Sequence, residues 1–268
     1  MSRIFISRGP GGLPGIDAHV GAWLAFSELG ITPTAVAGCS AGAIVSALQA
    51  AGESARDISM VVNALDDKDV IRKRALWKLR ALWIETMCVP DPVRDLLADW
   101  LPETFDDLQL PLSVSATRME SYGEFPETIR AGDLRAAVRA SMSIHGIWPP
   151  VRLGEWYYTD GGTTDAIVLP PDLDEWDAIF VLNILDREPA KIRDRNMVSR
   201  LWWSARKGAE YEEANTHHEL QNRDNVHWLD LDVSGSSMLH FEHMLTVEAW
   251  SKTRTWLLEN KHQCEAFV

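Results

Sequence analysis

Cysteine is scarce in this 268-residue chain: Cys39, Cys88 and Cys264 are odd in number and far apart. That excludes a disulfide-built scaffold and offers none of the paired spacings of a structural zinc site. Long apolar runs are missing as well, so no segment reaches membrane-spanning length. Met1-Ser2-Arg3 leads directly into the apolar run Ile4-Phe5-Ile6. This leaves no room for a secretory leader, and the expectation is a cytoplasmic protein. Basic charge is short: 26 Lys and Arg against 39 Asp and Glu give a formal net charge of -13. Such a balance argues against nucleic acid as a partner and against wholesale attraction to anionic membranes. The glycine clusters are not followed by Gly-Lys-Ser/Thr and complete no dinucleotide fingerprint, which argues against a nucleotide cofactor. No repeat, low-complexity tract or long linker divides the chain, so it is read as one domain over residues 1–268.

What is present is a serine between small residues, in Ala37-Gly38-Cys39-Ser40-Ala41-Gly42. The apolar run Pro33–Ala37 reads as a strand, and Ala43–Ala51 as a helix that stops at Gly52. A serine on so sharp a strand-to-helix turn presents its hydroxyl as a nucleophile, and Gly38 and Gly42 remove side chains that would strike the elbow. Cys39 reads as a small residue packed beneath it. A second cluster, Gly9-Pro10-Gly11-Gly12-Leu13-Pro14-Gly15, follows the first strand. The N–H groups of Gly11 and Gly12 are candidates for an oxyanion hole. Pro10 and Pro14 have no N–H to offer. A helix follows, with Ile16, Val20, Trp23, Leu24 and Leu29 at helical spacing and Gly30 as its stop. Third, the strand-like run Trp156-Tyr157-Tyr158-Thr159 delivers Asp160 to a turn at Gly161-Gly162. Asp160 is the candidate base, and Asp165 reads as a loop or helix-capping residue.

Taken in order, these blocks resemble the patatin-like phospholipases, serine lipid acyl hydrolases that work with a Ser–Asp dyad. The matching residues are Gly11-Gly12-Leu13-Pro14-Gly15 with Glu28-Leu29-Gly30-Ile31, then Gly38-Cys39-Ser40-Ala41-Gly42. Ala140-Ser141 through Pro149-Pro150-Val151 and finally Asp160-Gly161-Gly162 complete the series. The match extends to about Pro170. Pro10 and Pro14 stand where the family usually has Gly and Arg, and His145 where proline is common. The resemblance implies an α/β fold of three layers, α/β/α, with a largely parallel central sheet and a helical elaboration near the active-site entrance. It implies a lipid or fatty-acyl ester substrate, catalysis by Ser40 and Asp160 with Gly11 and Gly12 as oxyanion donors, and no metal or other cofactor.

Two other readings stay open. A protein with a decayed site would keep the elbow as a lipid-binding architecture, and Pro14 speaks for it. A Ser–His–Asp hydrolase would recruit His217, His218, His227, His240 or His243. A metal at His240 and His243 lacks a third ligand at motif spacing.

Residues 53–105 read as a helical cap. Within it, Lys68–Met87 interleaves Arg72, Lys73, Arg74, Lys78 and Arg80 with apolar residues as a basic amphipathic helix. Such a helix either rests at a membrane or micelle surface or packs over the core. Trp77, Trp83 and Trp100 are candidates for the acyl-chain entrance. Further strands are expected over Leu112–Thr117, Ala178–Leu182 and Val226–Leu231, with helical stretches over Arg187–Leu220 and Phe241–Asn260. Oligomeric state is not legible in the sequence.

Overall fold

The computed structural model describes residues 2–71, 88, 91–185, 213–233 and 238–260. The strands are β1 (Ile4–Arg8), β2 (Ala35–Cys39), β3 (Leu112–Glu120), β4 (Gly123–Ile129), β5 (Val151–Leu153), β6 (Trp156–Asp160), β7 (Ala178–Leu185) and β8 (Val226–Asp232). They form one sheet in the order β5-β6-β3-β2-β1-β7-β8, with β4 also on β3. The run β3-β2-β1-β7-β8 is parallel. Its central strands are buried along nearly their whole length. Near-continuous apolar strands such as Ala178–Leu185 are what a parallel sheet covered on both faces requires.

The helices are α1 (Gly12–Glu28), α2 (Ala41–Ala50), α3 (Ala55–Ala64), α4 (Asp67–Val70), α5 (Asp91–Trp100), α6 (Leu134–Ser141), α7 (213–220) and α8 (Met244–Glu259). On one sheet face α1, α2 and α8 share a core with Ile4, Ile6, Val36, Phe180 and Leu182. On the other, among the described residues, Ala166, Ile167, Val168 and Trp176 cover Phe5, Ala35, Ile179 and Val181. Helix α3 begins at Ser54, whose side chain accepts the Asp57 N–H, and α6 at Asp133, which accepts that of Ala136.

Three differences from the sequence reading bear on the site. Helix α1 starts at Gly12, so Pro14 belongs to its first turn rather than to the loop. There a missing N–H breaks no intrahelical bond. The sheet also carries an antiparallel part that hydropathy did not announce, because β5 is very short and β4 contains Glu124, Pro126 and Glu127. Proline and charge are tolerated on β4 because none of its residues is buried and, among the described residues, it pairs with β3 alone.

The third difference places the chemistry. Strand β2 runs parallel to β3 and ends with Cys39 opposite Ser115. Strand β6 runs antiparallel to β3 and ends with Asp160 opposite Ala116. The two strands approach end to end on adjacent residues of β3, and the chain leaves each of them at the same spot.

Candidate active site

Ser40 occupies the turn between β2 and α2 with φ 53° and ψ -117°, and no other described non-glycine residue has a positive φ. Such backbone strain persists only where the surroundings hold it. Here they do so sterically. A Cβ on Gly38 would stand 2.3 Å from the Gly42 carbonyl oxygen, and one on Gly42 would stand 2.2 Å from that of Arg8. The Ser40 N–H donates to the Ser141 hydroxyl of α6 at 2.9 Å. Cys39 is fully buried beneath the turn.

The Ser40 hydroxyl donates to Asp160 Oδ2 at 2.8 Å. Both residues are buried, Ser40 being 4% and Asp160 3% exposed. The other carboxylate oxygen, Oδ1, accepts the Gly162 N–H at 2.8 Å. The Asp160 N–H donates to the Ser143 carbonyl, and the Asp160 carbonyl accepts from the Thr117 and Thr163 hydroxyls. The Asp165 carbonyl accepts from Ser115, and the residue takes no part in the Ser40 contact.

Across the cleft lies the glycine loop. Gly12 has φ +64°, a conformation that favours glycine. The N–H groups of Gly11, Gly12 and Ala41 have no acceptor among the described residues, whereas Leu13 donates to the Met238 carbonyl at 2.9 Å. Sequence reasoning did not single out Met238. Its segment is anchored by two carboxylates: Asp17 accepts from Glu242 and His243, and Asp67 accepts from His240 and Phe241. Asp17 is buried in α1, and desolvation raises its pKa.

The other described histidines are also occupied. His145 faces Glu124, His217 lies tilted against Trp228, His218 meets Gln221, and His227 lies against Phe180 and Trp256. His19 contacts the Gly9 carbonyl at 2.7 Å, and burial, aided by the charge of Arg8, lowers its pKa to about 3.

Arg8 does not reach the oxyanion loop. Its guanidinium is buried under α2 and donates to Ser46 and Gln49, with burial lowering its pKa to about 9.

The narrow cleft at Ser40 is walled by Leu13, Ile44, Met142, Trp148 and Met238. Ile16, Ile44 and Met142 also line a small apolar chamber of about 20 Å³ that involves Leu48, Leu97 and Trp100. Trp100 lines this chamber. Trp77 and Trp83, like Arg72–Met87 of the basic stretch, lie outside the described residues.

The architecture is an α/β fold with a mixed, mainly parallel sheet, and its site sets a serine hydroxyl against a carboxylate. The patatin-like phospholipase family model matches residues 11–172, and the chain belongs to that family. Uncharacterized NTE family proteins of Mycobacterium bovis and Mycobacterium tuberculosis are 28% identical over 169 residues, 63% of this chain and 45% of each relative. The chain therefore spans about half the length of the curated relatives it matches. Among solved structures, VipD from Legionella pneumophila is similar with a TM-score of 0.55 at 14% identity, over 96% of this chain and 67% of that one. The type III effector protein ExoU also aligns with a TM-score of 0.55, at 15% identity over 97% of this chain and 54% of its own. At these identities the likeness concerns the fold. Among the described residues, no helix is long and apolar enough to cross a membrane.

Proposed function

We propose that the protein is a lipid acyl hydrolase that cleaves fatty-acyl esters with Ser40 as nucleophile and Asp160 as its base. The observation that carries this reading is the 2.8 Å hydrogen bond from Ser40 Oγ to Asp160 Oδ2 beside an apolar cleft. Ser40 Oγ attacks the ester carbonyl carbon while its proton passes to Asp160. The carbonyl oxygen becomes an oxyanion held by the Gly11 and Gly12 N–H groups, with the N-terminal end of α2 supplying favourable dipoles. Collapse breaks the ester C–O bond, and the leaving alkoxide takes the proton from Asp160. Water, deprotonated by the same carboxylate, then releases the fatty acid. The acyl chain lies against the apolar wall that Leu13, Ile44, Met142 and Trp148 form beside Ser40. The ester reaches the site from a membrane or micelle surface, where such substrates reside.

Intact-mass analysis after treatment with a fluorophosphonate tests the dyad. The expected result is one adduct on the native protein, lost in Ser40→Ala and Asp160→Asn. Each variant should also lower ester hydrolysis by at least about a thousandfold. A fully active Asp160→Asn protein would sink the reading.

A further inference from the structure

The N–H groups of Gly11 and Gly12 lie in a backbone that glycine leaves free to rotate. Gly11 is held by packing, since a Cβ there would stand 2.8 Å from the Gly15 Cα and 2.9 Å from Ile184. Gly12 has another hold. A Cβ on it would stand 2.5 Å from the Met238 carbonyl oxygen, and the next N–H, that of Leu13, donates to this same oxygen at 2.9 Å. The Gly12–Leu13 peptide is therefore pinned by a segment more than 220 residues further along the chain.

That segment, Met238–His243, is neither helix nor strand and precedes α8. Two carboxylates hold it in the same way, each dividing its oxygens between a backbone N–H and an imidazole. Asp17 Oδ2 accepts the Glu242 N–H at 2.8 Å, and its Oδ1 lies 3.2 Å from His243 Nδ1. Asp67 Oδ1 accepts the Phe241 N–H at 2.9 Å, and its Oδ2 meets His240 Nδ1. Phe241 is buried between these anchors and stacks on His243. Asp17 stands five residues after Gly12 on α1 and is fully buried. A carboxylate in that position is costly unless donors satisfy it, and both donors come from this segment. Desolvation raises its pKa, and the His243 and Glu242 contacts oppose the rise.

We propose that Asp17 and Asp67 are positioning residues for the oxyanion loop: they hold Met238–His243 as a strap whose Met238 carbonyl fixes the Gly12–Leu13 peptide and, with it, the Gly11 and Gly12 N–H groups. The proposal rests on the ester-hydrolase reading and adds the device that aligns its donors. Neither carboxylate touches the substrate. Releasing the strap misaligns donors that are needed most once the carbonyl oxygen carries charge, so the transition state suffers more than bound substrate.

The test measures kcat and KM on a micellar fatty-acyl ester, together with Ki for a fatty-acyl trifluoromethyl ketone, whose adduct with Ser40 carries the same oxyanion. Asp17→Ala should lower kcat at least about tenfold with KM held within about twofold, and raise Ki by the factor lost from kcat. Asp17→Asn keeps an acceptor for the Glu242 N–H and should restore most of kcat. Asp67→Ala should show the same pattern at smaller amplitude. Its side chain is 32% exposed, and it decides the matter where Asp17→Ala does not fold. Hydrogen exchange of the Leu13 amide, followed by NMR, reads the strap without turnover. It should quicken in both alanine variants while the amides of β7 keep their native rates. An unchanged kcat in folded Asp17→Ala, a fall carried by KM with Ki held, or exchange that leaves Leu13 at its native rate would overturn the proposal. A native protein that hydrolyses no ester fails the hydrolase reading alone, and Leu13 exchange then decides whether the strap holds the loop.

Discussion

Strands β2 and β6 deliver their residues to one spot on β3 by opposite means. At the β2 end the instrument is packing. Ser40 is forced to φ 53° by glycines whose space is filled by neighbouring backbone, and the strand above it is apolar. At the β6 end the instrument is hydrogen bonding. The Thr117 hydroxyl donates to the Asp160 carbonyl at 2.9 Å and lies 3.0 Å from that of Thr163 and 2.7 Å from that of Thr164. The difference follows from what each group must do. A nucleophile has to be pushed out of a turn into a strained position, which close contact enforces. A buried carboxylate has to be oriented and kept from being an unsatisfied polar group, which dipoles accomplish.

The contrast can be broken first on its steric side. Gly42→Ala sets a Cβ 2.2 Å from the Arg8 carbonyl, and only separation of α2 from β1 relieves that contact. The variant should lose about 3 kcal/mol of stability or fail to fold, read as the urea midpoint. A native midpoint would mean that the elbow yields more easily than its contacts indicate.

On the polar side, Thr117→Val keeps shape but deletes the hydroxyl that organises the Asp160 turn. We expect a stability loss of about 1–2 kcal/mol and a kcat roughly tenfold or more below native, with KM held. An unchanged kcat would show that the Gly162 N–H and Thr163 suffice to aim the carboxylate.

The smallest effect concerns pH and belongs to the packed side. His19 is neutral in the fold, with its pKa lowered from 6.5 to about 3 by burial and by Arg8. A group whose folded pKa lies below its unfolded value contributes stability above the unfolded value, and that contribution is lost as pH falls through the folded one. Melting temperature should therefore decline between about pH 6.5 and pH 3, and less steeply in His19→Gln, as thermal scans across that range will show. Parallel declines would assign the acid sensitivity to other groups.

The sequence by itself determined the local requirements. Gly38 and Gly42 flank Ser40 because nothing larger fits the turn, and such needs are written in adjacent residues. The same holds for the loop at Gly11 and Gly12, the Asp160-Gly161-Gly162 turn and the apolar strands of the parallel sheet. Tertiary structure alone decided what depends on distant segments. Residues 120 positions apart meet because β2 and β6 run toward each other along β3. Strand β4 was hidden by its proline and glutamates, which only an edge position explains. Arg8 is next to the glycine loop in sequence, yet its guanidinium lies under α2 with Ser46 and Gln49. Met238 belongs to no motif around the serine, and packing brings it to the cleft. Backbone geometry leaves a mark on neighbouring residues, whereas the pairing of strands and the burial of a charge are properties of the whole chain.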